Sequence, residues 1–135
     1  MSRNWRLFLA DIIEHGERVD RLVRDRDSDS FERDETLRQA ILFSLLIIGE
    51  ATKQLPQSLR DTEPTVNWRG AAGLRDIIVH QYFGLDTEIL WDAASVHVPR
   101  LLDAARRLQT GLDQARSEET RGSQDSDAGE TDAGE

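Results

Sequence analysis

The chain reads as an all-α protein, an up-and-down bundle of four to five helices, on three observations. Apolar residues recur at three- and four-residue steps near the N-terminus, with Trp5, Phe8, Leu9, Ile12, Val19, Leu22 and Val23 on one side. The segment 41–48 is apolar all round except for Ser44, the pattern of a helix buried on several sides. The stretch WRGAAGLRDIIVHQYFGLD over 68–86 carries an apolar stripe of Leu74, Ile77 and Ile78 and a polar edge, again at helical spacing. At 135 residues the chain suffices for one domain with a core and not for two. The composition divides it into a helical domain over 1–116 and a tail over 117–135.

The first helix is expected over 4–24, with Glu14, Glu17, Arg18 and Arg21 mostly outside. The polar run 25–30 breaks it, and Asp29 or Ser30 can cap the next helix. That second helix, over 31–55, is expected to be central. Gly49 within it costs roughly 1 kcal/mol against Ala, so a close helix crossing is expected there. Glu50 beside it is either solvated or within reach of the helix over 68–83. Pro56 ends the second helix, and 56–66 is a connector holding at most one turn. Asn67 is a good cap for the next helix, which Gly84 ends. Asp86 or Thr87 opens another, continued by Ile89, Leu90, Ala93, Ala94 and Val96 until Pro99, which must kink it or begin a new one. Leu101, Leu102, Ala105 and Leu108 give the last helix its core face, and Trp91 is expected as a packing anchor. The tail is acidic and free of aromatics, and closes on a doubled pentapeptide, SDAGE then TDAGE. It cannot bury enough surface to order itself, so disorder and a solubilising role are expected.

Composition narrows the function. The chain has no cysteine, and its three histidines are widely spaced with no HExxH pattern. No metal site and no cofactor are expected. The apolar run 41–48 is far short of the roughly 20 residues that span a bilayer. The N-terminus turns acidic without a signal-peptide core. A soluble cytoplasmic protein with no membrane partner is the expectation. The net charge of -9 argues against a nucleic-acid role at first sight. However, residues 117–135 hold seven acids and one Arg, which leaves -3 for the domain. Sixteen of the seventeen basic residues are Arg, and Lys53 is the sole lysine. That bias fits a GC-rich genome and a salt-adapted host equally well.

The chemistry-bearing residues cluster on the helix over 68–83. A helix turns about 100° per residue, so with Arg75 at zero Asp76 lies near 100°, Arg69 near 120°, His80 near 140° and Tyr82 near 340°. A His and an Asp four residues apart are, by themselves, most often a surface pair worth a few tenths of a kcal/mol. The wider spelling is more informative. Arg75-x4-His80-x-Tyr82, followed by Phe83-Gly84, resembles the signature of the HEPN superfamily, and more narrowly that of the HepT-like toxins. The resemblance extends over about 5–110, because Ile47-Ile48-Gly49-Glu50-Ala51, Leu55-Pro56, Trp68-Arg69 and Leu90-Trp91 match in order. It implies a metal-independent ribonuclease, the toxin half of a toxin–antitoxin pair acting on RNA and not DNA. Carried over by position, Arg75 and His80 are the catalytic pair. Asp76 matches the polar position after the Arg, where Asn is also common in the family. Tyr82 matches the tyrosine that the partner, a minimal nucleotidyltransferase (MNT) antitoxin, modifies with AMP to silence the toxin. The family pairs as homodimers with the motif lining the cleft. Asp rather than Asn at position 76 alters the local electrostatics, and the acidic tail departs from the family pattern.

Metal-free RNA cleavage uses the ribose 2′-hydroxyl as internal nucleophile. It needs a group that titrates near neutrality and a fixed cation for the phosphate, roles that His80 and Arg75 fill in kind. Asp76 could orient His80 and stabilise its imidazolium. Arg69 and Glu50 are candidate supporting residues. On one helix Arg75 and His80 point about 140° apart, an awkward split for a single phosphate that a twofold pairing of chains would resolve. The rival reading is a non-catalytic helical module that partners a nucleotidyltransferase or binds a nucleotide. Low basic content favours the module, and the intact R-x4-H favours the enzyme.

Overall fold

The computed structural model describes residues 4–81 and 84–127, the last three by their backbone alone. Among them every regular element is helical, and none is long and apolar enough to cross a membrane. The helices are α1 (Trp5–Val23), α2 (Ser28–Arg33), α3 (Glu35–Lys53), α4 (Gln57–Arg60), α5 (Trp68–His80), α6 (Thr87–Asp92) and α7 (Val98–Asp127). A π-helical turn, Ala93–His97, joins the last two. Helix α3 packs against α1 on one side and α5 on the other, and α7 packs against α1. The central position expected for this helix is therefore observed.

Helix α1 has the predicted bounds. It buries Leu9, Ile12, Gly16 and Val19, and a Cβ at Gly16 would lie 3.1 Å from the Leu102 side chain of α7. The single helix expected over 31–55 is instead broken at Asp34. Asp34 has extended backbone, its N–H donates to Ser30, and its side chain accepts from the Leu37 N–H to start α3. The Arg38 guanidinium reaches back to the carbonyls of Phe31 and Glu32 and holds the corner. The cap of α2 is Asp27, not Asp29 or Ser30. Ser30 serves as the reciprocal member of a capping box, with its N–H donating to Asp27 and its hydroxyl accepting from the Asp27 N–H. The short α2 buries Phe31 completely, 5.5 Å from Trp91 between ring centroids, and Trp91 is the packing anchor expected of it.

The α3 run over 41–48 is buried on one face only. Ile41, Ser44, Leu45 and Ile48 are in the core, whereas Phe43 is 54% exposed. The connector holds the single turn α4, as expected, and Glu63 beyond it forms a paired contact with Arg107 of α7 at 2.9 and 3.0 Å. The Trp68 indole N–H donates to the Glu63 carbonyl, so the start of α5 is fixed to α7 through this residue. Asn67 caps α5 through the Gly70 N–H, and Asp86 caps α6 through Glu88. The π-helical turn answers the question posed by Pro99. Its widened ring, closed by the Val98 N–H on the Ala93 carbonyl, comes just before the residue that can donate no hydrogen bond. Helix α7 then continues to Asp127. The expected disorder from Ser117 onward is not what the structure has as far as it describes the tail: one helix runs through 117–127, with residues 117–124 exposed. Ser117 and Thr120 hydroxyls back-bond to the carbonyls of Asp113 and Arg116 within it. Local hydrogen bonding along a helix already nucleated by the core extends it where no burial is available. The repeat over 128–135 lies outside the described residues.

One polar pair sits inside the core. His15 is 9% exposed, and its Nδ1 shares a 3.1 Å hydrogen bond with the fully buried Ser44 hydroxyl. Burial, with Arg18 nearby, holds the His15 imidazole below its ordinary value of 6.5. The unfolded chain therefore takes up the proton at higher pH than the folded one. The contribution of His15 is fully present above pH 6.5 and is lost as pH falls from there through the lower folded value. The urea midpoint of the wild type is expected to fall between about pH 7 and 5.5, and His15→Gln to flatten that dependence.

Candidate active site

The site begins with a glycine. A Cβ on Gly49 would lie 2.9 Å from Arg75 Cβ, 3.0 Å from its backbone nitrogen and 3.1 Å from the Ala71 carbonyl oxygen. Helices α3 and α5 therefore touch backbone to backbone at this point, as the glycine predicted. The next residues of α3 then reach the exposed side of α5. Glu50 Oε2 lies 3.4 Å from Arg75 Nε, so of its two expected positions Glu50 takes the one against the helix. Arg75 Nη1 donates to Asp76 Oδ1 at 3.0 Å. Lys53 Nζ donates to the same oxygen at 2.8 Å.

Lys53 was not anticipated. The signal was present, because a crossing at Gly49 puts the residue four positions later one turn further along the same contact. These four charges alternate in sign and are all partly exposed, with Arg75 at 39%. Exposed pairs of this kind are worth about 0.2–1 kcal/mol each, so the cluster orients side chains more than it stabilises the fold. Lys53 first, and Arg75 after it, hold the Asp76 carboxyl below its usual range.

His80 is the last residue of α5 and is exposed. The expected Asp76–His80 contact is not formed. The Asp76 carboxylate turns to Lys53 and Arg75, and among the described residues no hydrogen bond or ion pair joins it to His80. Two cations outcompete an exposed imidazole for one carboxylate. Arg69 lies exposed in the first turn of the helix. On the apolar side Ile78 is buried and Leu74 packs on the core, but Ile77, expected in the core, is 43% exposed. It borders a groove of about 520 Å³ on the opposite flank of α5, bounded by Leu45, Ile89 and Leu101, away from the charged cluster. The helix ends at His80, with Gln81 as its C-cap, three residues before Gly84. Tyr82 and Phe83 lie outside the described residues.

The chain matches the family described as "Ribonuclease HepT-like" over residues 12–108. It belongs to that family. The match includes α3, α5 and every charged residue of the cluster, and it stops before the exposed half of α7. "Putative RNase MJ0127" of Methanocaldococcus jannaschii is 40% identical over 98 residues, covering 73% of this chain and 81% of its own length. "Probable ribonuclease HepT" of Thermococcus cleftensis is 32% identical over 109 residues, covering 81% of this chain and 99% of its own. "Putative RNase TTE0752" of Caldanaerobacter subterraneus is 35% identical over 96 residues, covering 71% and 86% respectively. No solved structure matches the chain.

The crossing makes a prediction of opposite signs. Gly49→Ala should lower stability by about 1–3 kcal/mol through overpacking, against its gain in helix propensity. Gly73→Ala on the same site helix, where a Cβ meets nothing within 4 Å, should raise stability by up to about 1 kcal/mol. Urea midpoints of the two variants check this directly.

Proposed function

We propose that this HepT-like protein is a metal-independent endoribonuclease, the toxin of a toxin–antitoxin pair. The observation that carries the reading is the placing of Arg75, half-exposed and braced by Glu50 and Asp76, on the helix that ends in an exposed His80. A ribose 2′-oxygen attacks the adjacent phosphorus and expels the 5′-oxygen, leaving a 2′,3′-cyclic phosphate and a 5′-hydroxyl. His80 exchanges protons with the attacking and leaving oxygens. Arg75 binds the phosphoryl oxygens and offsets the charge that builds on them. Asp76 acts on Arg75 by orienting its guanidinium.

Arg75 and His80 diverge by about 140° around the helix axis, which favours a homodimer in which each cleft draws one residue from each chain. The partner that silences the toxin is an MNT-type nucleotidyltransferase, which adds AMP to Tyr82. A bulky phosphate ester two residues after His80 would compete with RNA sterically and by charge.

Purified protein should cleave RNA in the presence of EDTA, and Arg75→Ala and His80→Ala should each abolish cleavage while the circular dichroism stays helical. Cleavage that stops with chelator, or that persists in His80→Ala, overturns the mechanism. A folded wild type that binds the nucleotidyltransferase and cuts nothing would be the non-catalytic module.

Two further arms test the dimer and the modification. Mixing Arg75→Ala with His80→Ala subunits should restore part of the activity if the clefts are shared, and none if both residues act from one chain. Co-expression with the nucleotidyltransferase should add AMP mass to the Tyr82 peptide, and Tyr82→Phe should stay active and escape silencing. Silencing of that variant as complete as that of the wild type would leave Tyr82 without this role.

A further inference from the structure

We propose that Lys53 is a positioning residue of the Arg75 site, holding the Asp76 carboxylate so that Arg75 meets an RNA phosphate with its positive charge uncancelled. The proposal rests on the ribonuclease reading above. Its ground is that one carboxylate oxygen, Asp76 Oδ1, accepts from two cations on different helices, Lys53 Nζ at 2.8 Å and Arg75 Nη1 at 3.0 Å. Glu50 approaches Arg75 from the other side at 3.4 Å. With Lys53 present, the four charges sum to zero, and the carboxylate that braces Arg75 is already balanced by the ammonium. Without it, Arg75 lies between two carboxylates with a local charge of -1, on a protein whose net charge is already -9. A phosphate would then approach against repulsion at the residue meant to grip it.

The ammonium suits this task. It is a compact charge on a flexible stem with three donors, so it can hold an oxygen without imposing the planar geometry of a guanidinium. Lys53 is also the only lysine in a chain whose other sixteen cations are Arg. It reaches Asp76 because the Gly49 crossing brings α3 against α5 one turn earlier. A tether with no part in the reaction would show itself differently. It would lower stability on removal and leave the response to substrate concentration alone.

The test uses the full chain and a ribo-oligonucleotide in EDTA buffer. Lys53→Met should raise KM on the order of fivefold, the reach of one exposed charge pair, with kcat little changed. Lys53→Arg keeps the charge but not the compact ammonium, so it should restore a large part, though not all, of the lost affinity for substrate. The difference between Lys53→Met and wild type should shrink at high salt. Adding Asp76→Asn to Lys53→Met removes the unbalanced carboxylate, so the double variant should recover part of the lost KM. A wild-type KM in Lys53→Met, or an equal loss in Lys53→Met and Lys53→Arg, overturns the proposal. If Lys53→Met fails to fold, Lys53→Gln supplies the same comparison.

A second measurement needs no cleavage. The Asp76 carboxyl carbon, followed by NMR, should titrate below the usual carboxylate range in wild type and move up in Lys53→Met. A wild type that leaves RNA intact defeats the ribonuclease reading. The Asp76 titration then decides separately whether Lys53 holds this carboxylate, and an unmoved titration overturns the proposal.

Discussion

The α3–α5 contact at Gly49 is the constraint on which the rest of the site depends. Because no side chain separates the two backbones, α3 comes close enough to lend charged residues to a helix that carries only part of the chemistry itself. Glu50 and Lys53 are ordinary surface residues by composition. They join the candidate site because the crossing brings their charged groups within 3.4 Å of Arg75 and 2.8 Å of Asp76 respectively. A larger residue at 49 would push the helices apart and separate the charges at the same time.

The surrounding bundle makes that contact tolerable. Glycine in a helix interior costs stability, and the cost is offset by what α3 buries elsewhere along its length. Ile41, Leu45 and Ile48 are almost fully removed from water, and Ser44 is satisfied by His15 rather than left bare. The buried face of α3 thus carries the packing against α1 and part of α5, and the ionic cluster lies at its exposed edge beyond Gly49. This division explains why α3 is not uniformly buried although its sequence over 41–48 is nearly all apolar. Phe43 lies edge-on to His15, 5.8 Å away between centroids, with much of its ring still in solvent.

How legible this was from sequence differs from element to element. Strong periodicity located α1, and chemistry with only one structural use located others: Asn67 as a cap, Gly49 as a crossing, Pro99 as an irregularity. The family resemblance, carried by Arg75, His80 and the flanking segments, was legible because it is a spelling in sequence. Three things were not. The break at Asp34 was missed because hydrophobic patterning continues across it, while the interactions that make it are a side-chain cap and a reach-back by Arg38. The partner of Asp76 was assigned to His80 by helix register, since spacing along one helix says nothing of a cation arriving from another. The helix over 117–127 was read as disorder, because composition measures the capacity to bury surface and not the persistence of a helix already begun.

The Glu63–Arg107 pair and the Trp68 indole bond give α5 a mechanical character. One end of the helix is fastened to α7, its middle rests on α3 at Gly49, and the end bearing His80 projects beyond. The far end is held as well, because Ile78, two residues before His80, is buried in the core. Under the proposed roles, the phosphate grip would sit at the crossing itself and the proton-transfer group at the exposed end of the helix, two residues past the buried Ile78.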